Sequence, residues 1–362
     1  MVHIYPSRFD FMAKYLYIKQ YDKKYNTSFF IDLYKAHINT FNGGYELPDS
    51  TDDRNRQITK KSIDDFLKVF DNLIYDMKMN GFKKEFAIPV NSNGIIENGS
   101  HRLLTSYYFN IKPEIKNITN GDQEYNYNFF LKRNGKPPLQ RIYADTMALE
   151  YINHNPNQRC MILYPIAYDN NKIKLLIDII KQYGYIYYHK EIKLSSNGLL
   201  NLIKELYRGE DWIGGLFPNS DGGKFRRCWS DNPIIYISIS MYDVTKIIEM
   251  KDKCREIYKL GKHSLHVSDY ISDTRRISCS LLNENSIQFL NKGTNNIIPQ
   301  TKTLLINYFN QVGEKNEDYI IIDIKNKIIY ETITNIEIHN ILYNPENFYY
   351  FNGYKVFKTI TM

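Results

Sequence analysis

Nothing in the chain spaces its cysteines for a shared metal. The four of them, Cys160, Cys228, Cys254 and Cys279, form no CxxC pair and no other zinc pattern. Scattered singly along 362 residues, they point to reduced thiols and a cytoplasmic compartment rather than a disulfide framework. The first residues lack the charged-then-apolar pattern of a signal peptide. No apolar run approaches the roughly 18 residues that a membrane span requires, so no membrane span is expected. No run of five or more basic residues occurs. The net charge of +7, from 47 basic and 40 acidic residues, is therefore not gathered into the stripe typical of dedicated duplex binders. There is no internal repeat at fixed period.

What is present is ordinary in bulk. Hydrophobic content of 43% and charged content of 24% suit a globular protein. The length implies two domains, or one large domain with appendages. Thirty-two tyrosines alongside abundant Asn, Ile and Lys read first as the coding bias of an AT-rich genome, and second as aromatic surface for a ligand. A thin positive excess suits a basic pocket for a phosphorylated small molecule as well as it suits nucleic acid.

Apolar spacing over residues 8–40 predicts two helices before the Gly43-Gly44 break. "SIDDFLKVFDNLIYDMKMNGF" predicts an amphipathic helix capped by Ser62, with Asp64 and Asp65 at its positive end and a stop at Asn80-Gly81. "FAIPV" and "IIE" read as strands around the tight turn "SNG". Residues 119–158, rich in Asn, Lys, Pro and Gly, read as a loop or connection. Strands then alternate with helices over 159–295: "CMILYPIAY", "YIYYHKEIKL", "IIYISISMY" and "SLHVSD" are the strands. That alternation predicts a second α/β domain with a mostly parallel or mixed sheet. Residues 296–362 read as a β-rich appendage. The expected organisation is thus N-terminal helices over 1–44, an α/β unit over 45–118, the connection, the second domain and the appendage.

Three stretches carry polar residues suited to chemistry. The first is Asn98-Gly99-Ser100-His101-Arg102, between a strand and a helix. A helix N-terminus has free N–H groups and a partial positive charge, and so attracts anions. Gly99 allows close approach, Ser100 and His101 add donors, and Arg102 can grip a phosphate bidentately. Glu97, just upstream, is placed to take a substrate proton or to ligate Mg²⁺. The plain alternative is a capped turn with solvated side chains. The second stretch, "GGKFRRCWSDNP" (222–233), offers Lys224, Arg226 and Arg227 as an anion clamp, although the Walker A spacing is absent. The alternative is a solvated basic loop. The third, "GKHSLHVSDYISD" (261–273), puts Leu265 and Val267 on one strand face and His266 and Ser268 on the other, with Asp269 at the end. His266 and Asp269 are candidates for acid–base chemistry or metal binding. The alternative is a histidine satisfied at a sheet end and an aspartate capping the following helix. Trp212 and the Tyr-rich segment 185–188 read as core or sheet face, and Arg54-Asn55-Arg56 as an ordinary charged loop or a further aid to phosphate binding.

The stretch "FAIPVNSNGIIENGSHRLLTSYYF" resembles the ParB/sulfiredoxin superfamily, whose members have a strand, "I-D-G-x-H-R" and then a helix. The resemblance covers roughly residues 45–115, and Gly99, His101 and Arg102 match the motif. Asn98 stands where the family usually has Asp. In the nucleotide-using branches this turn binds nucleotide phosphates, which implies that role for Gly99, Ser100, His101 and Arg102. Residues 214–291 resemble the second domain of a poorly characterised family associated with bacterial capsule and surface-polysaccharide gene sets. The matching segments are "GKHSLHVSD" and "LLNENSIQFLN", with "HNILYNPENFYYFNGYKV" near the C-terminus.

Taken together, these features lead to the expectation of a nucleotide-dependent phosphotransferase or nucleotidyltransferase acting on a carbohydrate or glycan precursor. ATP or another nucleoside triphosphate with Mg²⁺ is the expected cofactor. Glu97, His101, His266 and Asp269 are the candidate catalytic residues; Asn98 to Arg102, with Lys224, Arg226 and Arg227, are the candidate binding residues. The alternatives are a ParB-like nucleotide- or DNA-binding protein without catalysis, for which no helix-turn-helix signature is present, and an inert adaptor that keeps a kinase-like fold.

Overall fold

The structure is a computed structural model. It describes residues 5–46, 60–292 and 319–358, apart from 26, 93, 120–123, 134, 216–217, 323–327, 332–343 and 352–353. The Arg54-Asn55-Arg56 triplet lies outside the described residues. The chain divides into two compact units, 1–147 and 148–362.

The first unit contains α1 (Asp10–Lys23), α2 (Phe29–Asn42), α3 (Ile63–Asn80), β1 (Ile88–Val90), α4 (Ser100–Phe109), β2 (Ile115–Asn117) and α5 (Tyr127–Leu131). Helix α6 (Arg141–His154) runs across the division. The α3 boundaries follow the sequence reading. The Ser62 hydroxyl accepts from the Asp65 amide while the Asp65 carboxylate accepts from the Ser62 amide, a capping box, and Gly81 closes the far end with a positive φ. Gly43, at φ 82°, ends α2 as expected. Strands β1 and β2 form a short parallel pair, and Val90 bridges Ile96 just before α4. The N-terminal helices pack into this unit, α1 against α4 and α2 against α3. At its centre the Tyr17 ring stacks on Phe70 at 5.1 Å and lies 4.6 Å from Tyr34.

Residues 119–158 are more than a connection, because they include α5 and α6. Ala144, Met147, Ala148, Tyr151 and Ile152 of α6 are all buried. Their spacing, i, i+3, i+4, i+7 and i+8, puts them on one face of the helix, an apolar stripe that the Asn-, Lys-, Pro- and Gly-rich residues before it obscured.

The second unit is built on β3 (Gln158–Leu163), α7 (Asn170–Tyr183), β4 (Gly184–Ile192), α8 (Ser196–Leu206), α9 (Lys224–Cys228), β5 (Ile234–Met241), α10 (Ile247–Glu256), β6 (Leu265–Val267), α11 (Ile271–Leu281) and α12 (Glu284–Lys292). Its sheet order is β4-β5-β3-β6, and all three ladders are antiparallel. The expected parallel neighbours are therefore absent from this sheet. The physical reason is in the order: β3 and β4 run the same way with α7 between them in sequence, but β5 is inserted between them in space. Likewise β5 and β6 run the same way across α10, with β3 between them. Two such split β-α-β units make the connectivity of a ferredoxin-like sheet. One face packs on α7 and α10 through Met161, Leu163, Ile235, Ile237 and Leu265 against Leu176, Ile180, Met250 and Cys254. The other face is more polar: the Ser238 hydroxyl donates to Gln158 at 2.8 Å, and the hydroxyls of Tyr236 and Ser278 lie 2.7 Å apart. A bulge in β4 between Ile186 and Tyr188 turns Tyr187 inward, where it stacks on Tyr151 at 3.7 Å. Tyr187 and Tyr188 are core residues, as read, whereas Trp212 is 44% exposed.

Within 296–362, β7 (Tyr319–Ile322), β8 (Ile328–Glu331), β9 (Phe348–Phe351) and β10 (Tyr354–Lys358) form an antiparallel sheet of order β8-β7-β10-β9. It docks by β9: Tyr349 stacks on Phe289 of α12, and the Tyr350 amide donates to the Ser286 hydroxyl at 2.7 Å.

Candidate functional sites

Each unit holds one candidate site. In the first, α4 begins where the sequence placed it. Gly99 takes a left-handed conformation at φ 87°, and the helix opens at Ser100 without a side-chain cap. The Leu103 amide bonds the Gly99 carbonyl. Among the described residues no acceptor takes the amides of Ser100, His101 and Arg102. Asn98 is exposed, and its side-chain oxygen accepts from the Gly99 amide at 2.6 Å. Glu97 is also exposed.

Arg102 does not project freely. It is half-buried and folds back so that Nη1 donates to the Phe86 carbonyl. Its guanidinium lies so close to Gly99 that a Cβ there would sit 3.0 Å from Nη2. Burial lowers the Arg102 pKa. His101 turns inward: Nε2 is 2.8 Å from the Tyr34 hydroxyl, and its ring meets Phe70 edge-on at 4.5 Å. Burial, then the nearby Lys14, His37 and Lys60, hold its pKa well below the usual value, so His101 is neutral at pH 7.

Behind the turn lies a buried group that the sequence did not single out. Arg8 and Lys14 both pair with Asp10, and all three are almost fully buried. Burial alone would raise the Asp10 carboxyl, but Arg8 and Lys14 outweigh it and hold it far below the carboxylate range. Arg8 Nη1 also donates to the Ile96 carbonyl at 3.3 Å, bracing the chain three residues before Gly99. The available signal was a buried-face i,i+4 pair on α1, Asp10 with Lys14.

In the second unit, residues 224–228 form the short helix α9 rather than a solvated loop. Lys224 is 7% exposed and points inward. Its Nζ donates to the Lys262 carbonyl at 2.6 Å and lies 5.1 Å from the centres of both the Tyr164 and Tyr207 rings. The two tyrosine hydroxyls are 3.3 Å apart. Burial lowers the Lys224 pKa; Cys228 opposes this, while Arg255 and Lys262 add to it. Arg226 and Arg227 are exposed, and Arg227 Nη1 is 3.4 Å from His263 Nε2. His263 Nδ1 faces the Cys228 sulfur at 4.0 Å. Burial pushes that thiol up to about 11, so it is no activated nucleophile.

His266 is on β6, facing away from Leu265 and Val267 as alternation predicts, with its ring 5.1 Å from Tyr207. It therefore shares Tyr207 with Lys224. Burial, then Lys251, Lys224, Arg276 and Arg255, push its pKa down to about 3. Asp269 is not brought to the same place. It lies past the opposite end of β6, roughly 10 Å along the chain from His266 at strand spacing. It is exposed, with its carboxylate paired to Lys251 and its carbonyl accepting from Arg159 at 3.1 Å. Topology explains the gathering: Tyr164 follows β3, α9 precedes β5 and the Gly261–His263 turn precedes β6, all at one sheet end.

Among the described residues no group of three or more His, Cys, Asp or Glu could hold a metal ion, and no helix is long and apolar enough to cross a membrane. Comparison with protein-family models, with curated proteins and with solved structures finds no match to this chain.

Proposed function

We propose that the first unit binds a nucleoside triphosphate at the Gly99–Arg102 turn, and that the protein is a nucleotide-dependent phosphotransferase or nucleotidyltransferase acting on a carbohydrate or glycan precursor. The observation that carries this reading is the start of α4, with three successive amides that have no acceptor among the described residues, beside an arginine. Such amides and the helix dipole favour phosphate oxygens. The ParB/sulfiredoxin resemblance of the same residues adds to it.

In this reading the amides of Ser100, His101 and Arg102 bind the phosphates, and the Arg102 guanidinium adds charge beside them. Mg²⁺ bound with the nucleotide would supply charge neutralisation to the phosphates held there. Glu97, an exposed carboxylate before the turn, is the residue that would ligate it. Asn98 in place of Asp removes one carboxylate from the usual family pattern, leaving Glu97 to hold the metal or accept a proton. His101, held by Tyr34, positions the start of the helix.

The test is calorimetric titration of ATP, CTP and GTP with Mg²⁺ into the wild type, Arg102→Ala and Arg102→Lys. The loss of a charge-assisted bond predicts roughly 10- to 100-fold weaker binding for Arg102→Ala. Arg102→Lys should recover only part of it, since lysine lacks the planar fork. Undiminished affinity in Arg102→Ala, or no nucleotide binding by the wild type, refutes the reading.

A further inference from the structure

The Lys224 ammonium has no counter-charge in contact with it among the described residues. It has exchanged water for one carbonyl and two ring faces. Arg255, at the end of α10, adds a second cation; with Asp252 and Glu256 it lines a cleft that includes Gly261 and Lys262, the residue whose carbonyl accepts from Lys224. The Arg255 Nε is buried without a hydrogen-bond partner, and its paired acid, Asp252, stands 3.6 Å from Nη1. Arg227 adds a third from the exposed side of α9, in contact with His263. A buried cation without a counter-charge, as Lys224 is among the described residues, is costly, and so is a buried polar atom without a partner, as Arg255 Nε is. Both costs fall if an anion is bound.

The surroundings also suggest what the anion is attached to. Trp212 packs against Tyr207 at 5.0 Å yet remains 44% exposed. Gly222 lies directly beneath the indole, where a Cβ would come within 2.6 Å of its ring. An open aromatic face next to a group of cations is suited to a ligand with an anionic head and a ring or chain behind it.

We infer that this end of the second unit's sheet binds a phosphate monoester, with the phosphoryl group held by Lys224, Arg227 and Arg255 and the organic part lying against Trp212. Two guanidinium groups and one ammonium, from α9 and α10, match a dianion with three outer oxygens better than they match a carboxylate. The inference stands on the second unit alone and does not depend on nucleotide binding at Gly99.

The experiment uses the full chain at constant ionic strength. Glucose 6-phosphate, inorganic phosphate and glucose are each titrated by calorimetry and by tryptophan fluorescence. Glucose 6-phosphate should bind and change the fluorescence, inorganic phosphate should bind more weakly, and glucose should not bind. Arg255→Gln and Lys224→Met should each weaken glucose 6-phosphate by at least about 10-fold. Arg102→Ala should leave that affinity intact while losing nucleotide, which separates this site from the Gly99 turn. If Lys224→Met fails to fold by circular dichroism, the surface variant Arg227→Gln decides the matter on the same criterion. No binding of glucose 6-phosphate by the wild type, or unchanged affinity in Arg255→Gln and Arg227→Gln, overturns the inference. Equal affinity for inorganic phosphate and the ester overturns the assignment of an organic part at Trp212.

Discussion

Each unit contains a left-handed glycine that opens a helix whose first turn carries basic residues: Gly99 before Ser100-His101-Arg102, and Gly223 before Lys224-Phe225-Arg226-Arg227. The local chemistry is nearly the same, but the basic side chains end differently. Arg102 folds back on the main chain and donates to Phe86, while Lys224 enters a tyrosine pair and meets no carboxylate among the described residues. Each unit also holds one buried acid between two cations: Asp10 with Arg8 and Lys14, and Glu205 with Arg208 and Arg276. A Gly-plus-basic segment thus specifies a helix start, but not the destination of the charge.

The largest effects should come from the buried triads. Asp10→Ala leaves two buried cations unpaired and should cost about 3–5 kcal/mol. Glu205→Ala should fall toward the lower end of that range, because Arg276 keeps 17% side-chain exposure. Urea unfolding of both variants measures this. A cost under about 1 kcal/mol in either would show that the two triads are not equivalent supports.

Acid should reveal the same groups by pH. The histidines His101 and His266 have depressed folded pKa values, that of His266 about 3, so protons bind the unfolded chain first. Stability is fully present above the ordinary histidine value near 6.5 and falls as the pH drops toward the folded values. Asp10 and Glu205 are also depressed, by their cations against the effect of burial, so a further loss begins below about pH 4. His266→Gln should flatten the upper part of this profile, and Asp10→Asn the lower. A profile unchanged by both substitutions contradicts these assignments.

The glycines come next. Gly99→Ala forces a side chain to φ 87° and sets its Cβ 3.0 Å from Arg102, so a cost of about 1–2 kcal/mol is expected. Gly223, at φ 70°, has open space around it and should cost about 1 kcal/mol, from the backbone alone. Thermal unfolding of the pair separates the two, and a larger loss at Gly223 would reverse the comparison.

The smallest effects concern the arginines. Arg102→Ala should lose about 0.5–1.5 kcal/mol with its bond to Phe86. Exposed Arg226→Ala should stay within about 0.5 kcal/mol of the wild type. Equal melting temperatures for both variants would mean that the Phe86 contact contributes nothing in solution.

Local chemistry made much of this legible in the sequence. Ser62, Gly81 and Gly43 fix helix ends because a cap or a positive φ is decided within a few residues. Gly99 marked the start of α4 for the same reason. The alternation in β6 correctly separated His266 from Leu265 and Val267. Helix α6 was missed although Ala144, Met147, Ala148, Tyr151 and Ile152 form an apolar stripe at helical spacing, because the polar, Pro- and Gly-containing residues on its flanks suggested a loop.

The ends of α2, α3 and α4, each marked by a cap or a glycine, and the alternation along β6 were set by the sequence locally. These follow from propensities and periodicities that act over one or two turns. By contrast, "IIE" became a single bridge rather than a strand, and β2 carried no signal. The tertiary structure alone decided that β5 enters between β3 and β4, which turned a strand–helix alternation into an antiparallel sheet. It alone brought Arg255 of α10 and Tyr207 beyond α8 toward Lys224 of α9, and sent Asp269 to the opposite end of β6 from them. Strand order and side-chain destination depend on contacts between residues tens of positions apart. Such contacts are set by which buried surfaces fit one another, and no local pattern encodes that fit.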